Sequence, residues 1–561
     1  MSDIAEFVGD RFYRSQFQNG LSSYLIFQQD GVTYADPLFP GGTPYSAANL
    51  TGANNPIQQA INAVSSLGKS QILIKDGTYD FLTGQPQPVG YPKNLAGGVG
   101  LVLPSNITLR GESWKTILTT TSPVPGSPSA NDYFGMIVNK DFTTGNKNIV
   151  LRDLSIVVPS PSETATGMQA WDDTVITYGM NNSLIDNVYT LNGGLILYPN
   201  SVYINTASVL SLGTNNNNRI VNCTSENQTI NTGFFQGTDS WFVNNRITKT
   251  WDDAFIIASA GTGHKVIGNI IDGGVVVANK GAATALIYLQ NDGAVGSGPS
   301  SGVLQDNLVA YNTCKNHVKN NGNQSGIYEL AARNNTYRDN FCFNNVGNGI
   351  GLEQSDHSQI LGGRYYLNQG RGIRVLQDLA GTLYSVIIDG ATCYNNGTVA
   401  SQQSGINIAA NVGATLQDLI VTNCHTWDDQ GAVTQLNGIQ LTIDGTISNL
   451  LLQGNNVIRQ TNPISIQGAG TLTGRIIDNI GYNPQGVAAI TVTASPFTYT
   501  NNDRVSEYVT IDGGTITTVA KNAITLYSFG GAAARCGVWL EPSEAVTVTY
   551  TVAPTMNKDR K

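Results

Sequence analysis

Apolar and polar positions along this chain follow two short phrases that return together from about Leu184 to Gly481. The first sets one or two apolar residues before Asp, Asn, Thr or Gly and closes on Asn or Gly. It appears as Leu184-Ile185-Asp186-Asn187, Phe242-Val243-Asn244-Asn245, Val266-Ile267-Gly268-Asn269, Leu304-Gln305-Asp306-Asn307, Tyr337-Arg338-Asp339-Asn340, Ile387-Ile388-Asp389-Gly390, Ile420-Val421-Thr422-Asn423 and Ile476-Ile477-Asp478-Asn479. The second is Gly-Ile-x-apolar, as in Gly349-Ile350-Gly351-Leu352, Gly372-Ile373-Arg374-Val375, Gly405-Ile406-Asn407-Ile408 and Gly438-Ile439-Gln440-Leu441. A period of about 22 to 24 residues with occasional insertions, holding strands of a few residues each ended by Gly or Asn, predicts the coils of a β-solenoid. Stacked coils place Ile on Ile and Asn on Asn, so the ladders bury a core that no single coil could form.

The flanks read differently. Tyr24-Leu25-Ile26-Phe27 before Gln29-Asp30-Gly31 predicts a strand and a tight turn. Asn55-Pro56 predicts a helix start, with Ile57, Ala60, Ile61 and Val64 on one face and an end near Leu67-Gly68. That helix is expected to cap the open end of the solenoid. Gly84 to Gly100 and Ser122 to Ser129 are expected loops. After Gly481 the repeat stops and stretches such as Tyr508-Val509-Thr510-Ile511 and Ala545-Val546-Thr547-Val548 alternate, with Asp512-Gly513-Gly514 as a hairpin signal. The expected division is an N-terminal arm (1–20), a solenoid (21–481) and a small C-terminal antiparallel β-sandwich module (482–561).

Gln71-Ile72-Leu73-Ile74-Lys75-Asp76-Gly77-Thr78-Tyr79 and Leu101-Val102-Leu103-Pro104-Ser105-Asn106-Ile107-Thr108-Leu109-Arg110-Gly111, following such a helix and leading into the repeat, carry a resemblance. The chain resembles the pectate-lyase-like (pectin lyase) superfamily over roughly residues 20 to 480. That resemblance implies an all-β right-handed parallel β-helix, the scaffold of polysaccharide lyases, polygalacturonases, mannuronan epimerases and phage tailspikes. The Gly481-Tyr482-Asn483-Pro484 junction and the final Thr-Val-Thr-Tyr-Thr-Val-Ala-Pro-Thr stretch resemble a structural cap or oligomerisation module found after β-helices. The chain has neither an Asn-Thr-Asp nor an Asp-Pro-His word. The resemblance therefore specifies a fold that carries several chemistries.

Composition narrows the partners. Charged residues make up 12% of the chain and 62 residues are Gly, which suits Asn-, Thr- and Gly-rich outer faces. The net charge of −9 disfavours nucleic acid. No apolar run approaches membrane-spanning length, so no membrane insertion is expected. The start, Met1-Ser2-Asp3-Ile4-Ala5-Glu6-Phe7, has no basic, apolar leader. The expectation is accordingly a virion or extracellular surface protein, with the arm as an attachment peptide or simply a tail. Cys223 and Cys424 fall at or beside the Asn column and are expected as buried thiols. The four histidines show no metal-ligand spacing, and no metal or other cofactor is expected.

Two sets of residues could carry chemistry on sugar. Trp-Asp-Asp occurs at 171–173, 251–253 and 427–429, and an aromatic platform beside carboxylates suits a glycan. Neighbours in a strand face opposite ways, so a working pair must come from adjacent coils. Trp251 with Asp252, Asp253 and Asp239 is the first candidate set; turn and corner roles are the competing reading. The Gly-Ile register supplies the second. With Ile inward, Tyr328, Arg374, Asn407 and Gln440 form an outward row, with Glu353 near a strand end. Glu329 falls where Leu352, Val375 and Ile408 point inward, which predicts either a register slip or a buried carboxyl of raised pKa. Glu329 and Glu353 join the catalytic candidates, and Trp251, Tyr328, Arg374 and Asn407 the substrate-binding ones. Three functions remain open: a tailspike-type attachment protein, expected as a homotrimer, that binds and can cleave surface polysaccharide; a polysaccharide lyase or glycoside hydrolase; and a purely structural spike.

Overall fold

The computed structural model describes residues 22–560 apart from 87, 90–97, 121–133, 159–171, 194, 199–200, 206–207, 212–214, 229–231, 251–252, 275–284, 292–303, 319–324, 483–486 and 504. The N-terminal arm and the Ser122 to Ser129 run lie outside the described residues, as does much of the Gly84 to Gly100 segment. The chain divides into two units, residues 1–293 with 302–321 and residues 322–561 with 294–301. No helix among the described residues is long and apolar enough to cross a membrane.

The first unit opens as the residues predict. Tyr24–Gln29 and Val32–Pro37 form an antiparallel hairpin whose turn residues Asp30 and Gly31 both have positive φ. The helix runs Pro56–Val64, and the Asn55 side chain accepts from the Ile57 N–H at 2.9 Å. Ile57, Ala60, Ile61 and Val64 are all fully buried. The helix ends a turn before Leu67, where Ser65 takes the cap position.

Beyond it the strands of the coils are parallel, apart from the antiparallel pair Ser201–Asn205 and Ser208–Ser211, and successive coils stack strand on strand. Trp241–Val243 and Arg246–Thr250 stack under Lys265–Ile267 and Ile270–Asp272, which stack under Leu308–Ala310 and Thr313–Lys315. The first sequence phrase decodes as a strand followed by a corner. In most copies the third residue takes positive φ, as at Asn244 and Gly268, and the last turns inward and is buried; in the copies ending at Asn187, Gly390 and Asn423 the positive φ falls on the last residue and the next one, Val188, Ala391 or Cys424, is buried. Each buried Asn bonds to the coil above: the Asn245 N–H donates to Asn269 Oδ1 at 2.9 Å, and the Asn269 N–H donates to Asn312 Oδ1 at 2.9 Å. Cys223 holds this column one coil earlier, its N–H donating to Asn245 Oδ1, and burial pushes its thiol up to about 12. His264 occupies the neighbouring column, accepting the Ser240 N–H on Nδ1, and burial lowers its pKa to about 4.

In the second unit the Gly-Ile strands Ser325–Leu330, Asn348–Glu353, Ile373–Gln377, Ser404–Ala410, Asn437–Ile443 and Asn462–Gln467 form one parallel ladder. Ile327, Ile350, Ile373, Ile406 and Ile439 are fully buried on its inner side. At the corner that follows Phe341–Phe343 and its partner Arg364–Tyr366, an inner column of amides runs Asn345, Asn368, Asn396 and Gln435. On the outside of another ladder the rings of Phe343, Tyr366, Tyr394 and Trp427 stack at centroid distances of 4.8, 4.7 and 4.5 Å. Where the repeat lengthens, the extra residues form a ladder of their own: Gly381–Tyr384 pairs with Ala414–Gln417, which pairs with the start of Thr446–Gln453, which pairs with the start of Thr471–Ile477.

Six antiparallel strands make the C-terminal module. The hairpin expected at Asp512-Gly513-Gly514 is not there. These residues lie inside the strand Glu507–Lys521, where Gly513 and Gly514 take positive φ at a register shift, and the turn falls at Asn522-Ala523. The shift lets one long strand pair with Thr555–Arg560 along its first half and with Ala545–Val552 along its second. Val509, Ile511, Ile516, Val519, Val538, Leu540, Val546, Val548 and Met556 form the buried core between.

Candidate functional site

The outward side of the Gly-Ile ladder in the second unit gathers the polar residues that the register predicts. Tyr328, Gly351, Arg374, Asn407, Gln440 and Ser465 are successive partners in adjacent coils, about 4.8 Å apart. One row over, Leu330, Glu353, Leu376, Ala409, Thr442 and Gln467 run alongside.

Gly351 shapes this surface. A Cβ there would meet Tyr328 Cδ2 at 2.9 Å, so the tyrosine ring lies over the bare backbone of the next coil. Its hydroxyl then donates to Glu353 Oε2 at 2.5 Å, and Arg374 Nη1 stands 4.0 Å from the same oxygen. Burial raises the pKa of Glu353, with Asp378 adding to the rise; the Tyr328 bond and the Arg374 charge pull the other way without cancelling it. The result is a mostly buried carboxyl that holds its proton to higher pH than an ordinary carboxylate. Asn407 faces outward but is 1% exposed, because its amide reaches the Gln440 carbonyl at 3.4 Å and Thr442 Oγ1 at 3.3 Å.

Glu329 does not share this surface. It points inward at the rung of Leu352, Val375 and Ile408, fully buried, and there is no register slip. Tyr337 donates a very short hydrogen bond to Oε2, the Asn335 amide donates to the same oxygen at 3.2 Å, and Ser358 Oγ donates to Oε1 at 2.7 Å. Burial raises its pKa, and the carboxyl lies inside the solenoid, out of reach of a polymer.

The Asp239 and Asp253 pairing is not formed. Asp239 is an exposed corner residue with positive φ at the C-terminal end of Thr232–Thr238. Thr232 pairs with Phe255, which sets Asp253 beyond the opposite end of that strand. The seven-residue strand between them is roughly 23 Å long, too far for the two to flank one bond. Asp253 is 5% exposed and accepts the Ala285 N–H at 2.7 Å. Trp251 and Asp252 lie outside the described residues. In the third Trp-Asp-Asp word, Asp428 accepts three loop N–H groups, from Gln430, Thr434 and Gln435, and so shapes a corner.

Sequence reasoning missed Arg371. It precedes the strand, outside the Gly-Ile period, and its backbone N–H donates to Asn348 Oδ1 at 3.0 Å. Among the described residues its guanidinium Nη2 donates to the Ser401 carbonyl, at 3.3 Å. Burial, with a contribution from the charge of Arg374, lowers its pKa to about 10.

No protein-family model and no curated sequence matches the chain. The solved structures it resembles are pectin-lyase-like parallel β-helix proteins. The A-module of mannuronan C-5 epimerase AlgE4 from Azotobacter vinelandii is 13% identical, with a TM-score of 0.44 over 78% of this chain and 97% of that one. A tailspike protein mutant of E. coli bacteriophage HK620, solved with a pentasaccharide, is 12% identical, with a TM-score of 0.44 over 96% of this chain and 98% of that one. Tailspike protein 3 of bacteriophage CBA120 is 10% identical, with a TM-score of 0.47 over 78% of this chain and 64% of that one. At these identities the likeness is one of fold.

Proposed function

We propose that this chain is an attachment protein of tailspike type that binds a surface polysaccharide along the outward Gly-Ile ladder of the second unit. The observation that carries this reading is the row Tyr328, Gly351, Arg374, Asn407, Gln440 and Ser465, one position per coil, flanked by Glu353 and Arg371. Such a row gives an extended sugar chain one contact position per coil along a rigid sheet, with Arg374, Gln440 and Ser465 as its partly exposed members. The location that goes with it is a virion or extracellular surface, with residues 1–20 as the attachment arm.

Cleavage is the second reading, and the raised pKa of Glu353 favours it. A carboxyl whose pKa is raised by burial, beside Tyr328 and Arg374, suits a general acid toward a glycosidic oxygen better than an ordinary carboxylate does. The test is incubation with bacterial, algal and plant polysaccharides, following binding, reducing ends and the absorbance of unsaturated uronate. Glu353→Gln is expected to slow any cleavage by about 100-fold or more while the melting temperature stays nearly constant. Binding without any cleavage by the wild type would leave attachment alone; no binding to any polysaccharide would leave the purely structural spike.

The same reading includes a homotrimer. Among the described residues the strand Ile524–Leu540 pairs on one edge, with Glu507–Lys521, and Ile524, Leu526 and Trp539 are 70%, 45% and 47% exposed. A long apolar open edge is normally covered by another chain. Light scattering is expected to give three times the chain mass for the intact protein and the monomer mass after deletion of residues 487–561. A monomer before deletion would remove the claim.

A further inference from the structure

We propose that the first unit carries a sugar-binding subsite of its own, in which Trp114 stacks on the C–H face of a neutral pyranose and Glu226 accepts hydrogen bonds from its hydroxyls. The subsite shares no residue with the Gly-Ile ladder of the second unit, so it goes beyond the reading above. Its first support is the placing of the ring. Trp114 stands in the corner between the strands Ile107–Gly111 and Thr116–Thr119 and is 43% exposed. That corner is fixed by its own side chains. Ser113 Oγ donates to Asp76 Oδ1 at 2.8 Å and accepts from the Lys115 N–H at 3.1 Å, and the Glu112 N–H donates to Thr116 Oγ1 at 3.1 Å. The Trp114 carbonyl accepts from Ser155 Oγ in the next coil at 2.6 Å, and the indole N–H donates to the Asn187 carbonyl, one coil further, at 2.8 Å. Tyr189 props the ring, with centroids 5.8 Å apart and planes tilted by 40°. A ring that served only to tie coils together would be covered by them. This one has its N–H satisfied and its orientation set while much of its surface stays open to water, which is what stacking on a sugar requires at low ordering cost.

The second support is what surrounds the ring. Asn187, which holds the indole, also donates from Nδ2 to Asp153 Oδ1 at 2.9 Å. Arg110 Nε and Arg152 Nε both meet Asp153 Oδ2, at 3.1 and 3.0 Å, and Arg152 Nη2 meets Asp186 Oδ2 at 3.3 Å. Two guanidiniums and two carboxylates therefore balance beside the aromatic pair. The remaining charge is Glu226, exposed, whose Oε2 accepts from the Tyr189 hydroxyl at 3.2 Å. A stable protein interface buries on the order of 1,000 Å² around an apolar centre, and one indole ringed by charges does not offer that. A sugar ring needs a single aromatic face and acceptors for the hydroxyls at its rim. The exposed carboxylate supplies such an acceptor and repels a polyanion, so the ligand that fits is neutral.

The experiment titrates the full chain with neutral gluco- and galacto-oligosaccharides and with oligouronates, by calorimetry and by tryptophan fluorescence. Wild type is expected to bind a neutral member, with a fluorescence change that Trp114→Phe reduces. Trp114→Ala should bind that member about 10-fold more weakly, and Trp114→Phe, which keeps a smaller face, should fall between. Glu226→Gln should weaken binding about 3-fold or more with the melting temperature nearly constant; it leaves an acceptor for Tyr189, so it still gives a measurement if Trp114→Ala misfolds. Arg374→Ala, on the ladder, separates the two sites. Neutral binding that Arg374→Ala weakens and neither Trp114→Ala nor Glu226→Gln changes overturns the inference and leaves the ladder reading standing, as does binding confined to the uronates. Neutral binding weakened by Trp114→Ala and Glu226→Gln but not by Arg374→Ala upholds the inference and counts against the ladder. Binding to no member overturns both.

Discussion

Replacing Asn368 by leucine is expected to be the most damaging single change in the second unit, although leucine has a similar volume and the site is wholly inside. Asn368 Oδ1 accepts both the backbone N–H of Asn345 and its side-chain amide, at 3.2 and 2.9 Å. Its own amide donates to the Cys342 carbonyl and to Asn396 Oδ1, both at 3.0 Å. Leucine would strand a donor on the coil below and a carbonyl on the same side, with no water to replace either. At about 1–3 kcal/mol per stranded buried group, the cost is about 3–6 kcal/mol. A long solenoid unfolds irreversibly in practice, so the measurement is the unfolding rate in denaturant at fixed temperature. It should rise by about 100-fold or more. A rate indistinguishable from wild type would mean that the Asn column is ornament and the apolar ladders alone hold the coils.

The second large effect is a dependence of stability on pH that Glu329 imposes and glutamine removes. Burial raises the folded-state pKa above that of the unfolded chain, so the folded protein binds this proton more tightly. The stabilisation is then complete below the unfolded carboxylate range and is lost as pH climbs through the folded value. Tyr337, the titratable side chain bonded to it, is pushed well above its ordinary range and stays neutral. Glu329→Gln keeps a neutral group of the same shape. Wild type and variant should unfold alike at about pH 4 and diverge as pH rises toward about pH 9, the wild type losing stability faster. Parallel profiles over that range would show that the carboxyl titrates like an ordinary one.

Glu329 was readable in the sequence, whereas Asn368 sits in the corner after Tyr365-Tyr366, which is not one of the copies of the repeated phrase. The phrase ending in Asn announced a corner, and the structure explains its two-residue form: one residue for the positive φ, the next for the buried amide. Glu329 stood out because three isoleucine-type positions above it fixed the inward direction. Legibility ended where spacing carries no information about length along a strand. Asp239 and Asp253 looked one coil apart, but a seven-residue strand separates their corners. Asp512-Gly513-Gly514 has hairpin chemistry, and the same positive φ serves a bulge inside a strand whose partners on both edges continue past it. Arg371 has no periodic signature, since it belongs to the corner before the strand. The exposure of Tyr328 and Asn407 depends on which long neighbours fold over them, which register alone does not fix.

The ladder formed by residues 381–384, 414–417, 446–448 and 471–472 bears on how such a chain can lengthen over generations. An insertion in a single coil would leave a strand with two bare edges, a ready template for another chain. Here the added strands occur in consecutive coils at the same corner, each covering the edge of the one before. Growth of this fold by sideways enlargement is therefore heritable as a block of neighbouring coils, whereas a lone enlarged coil would be selected against by its own tendency to aggregate.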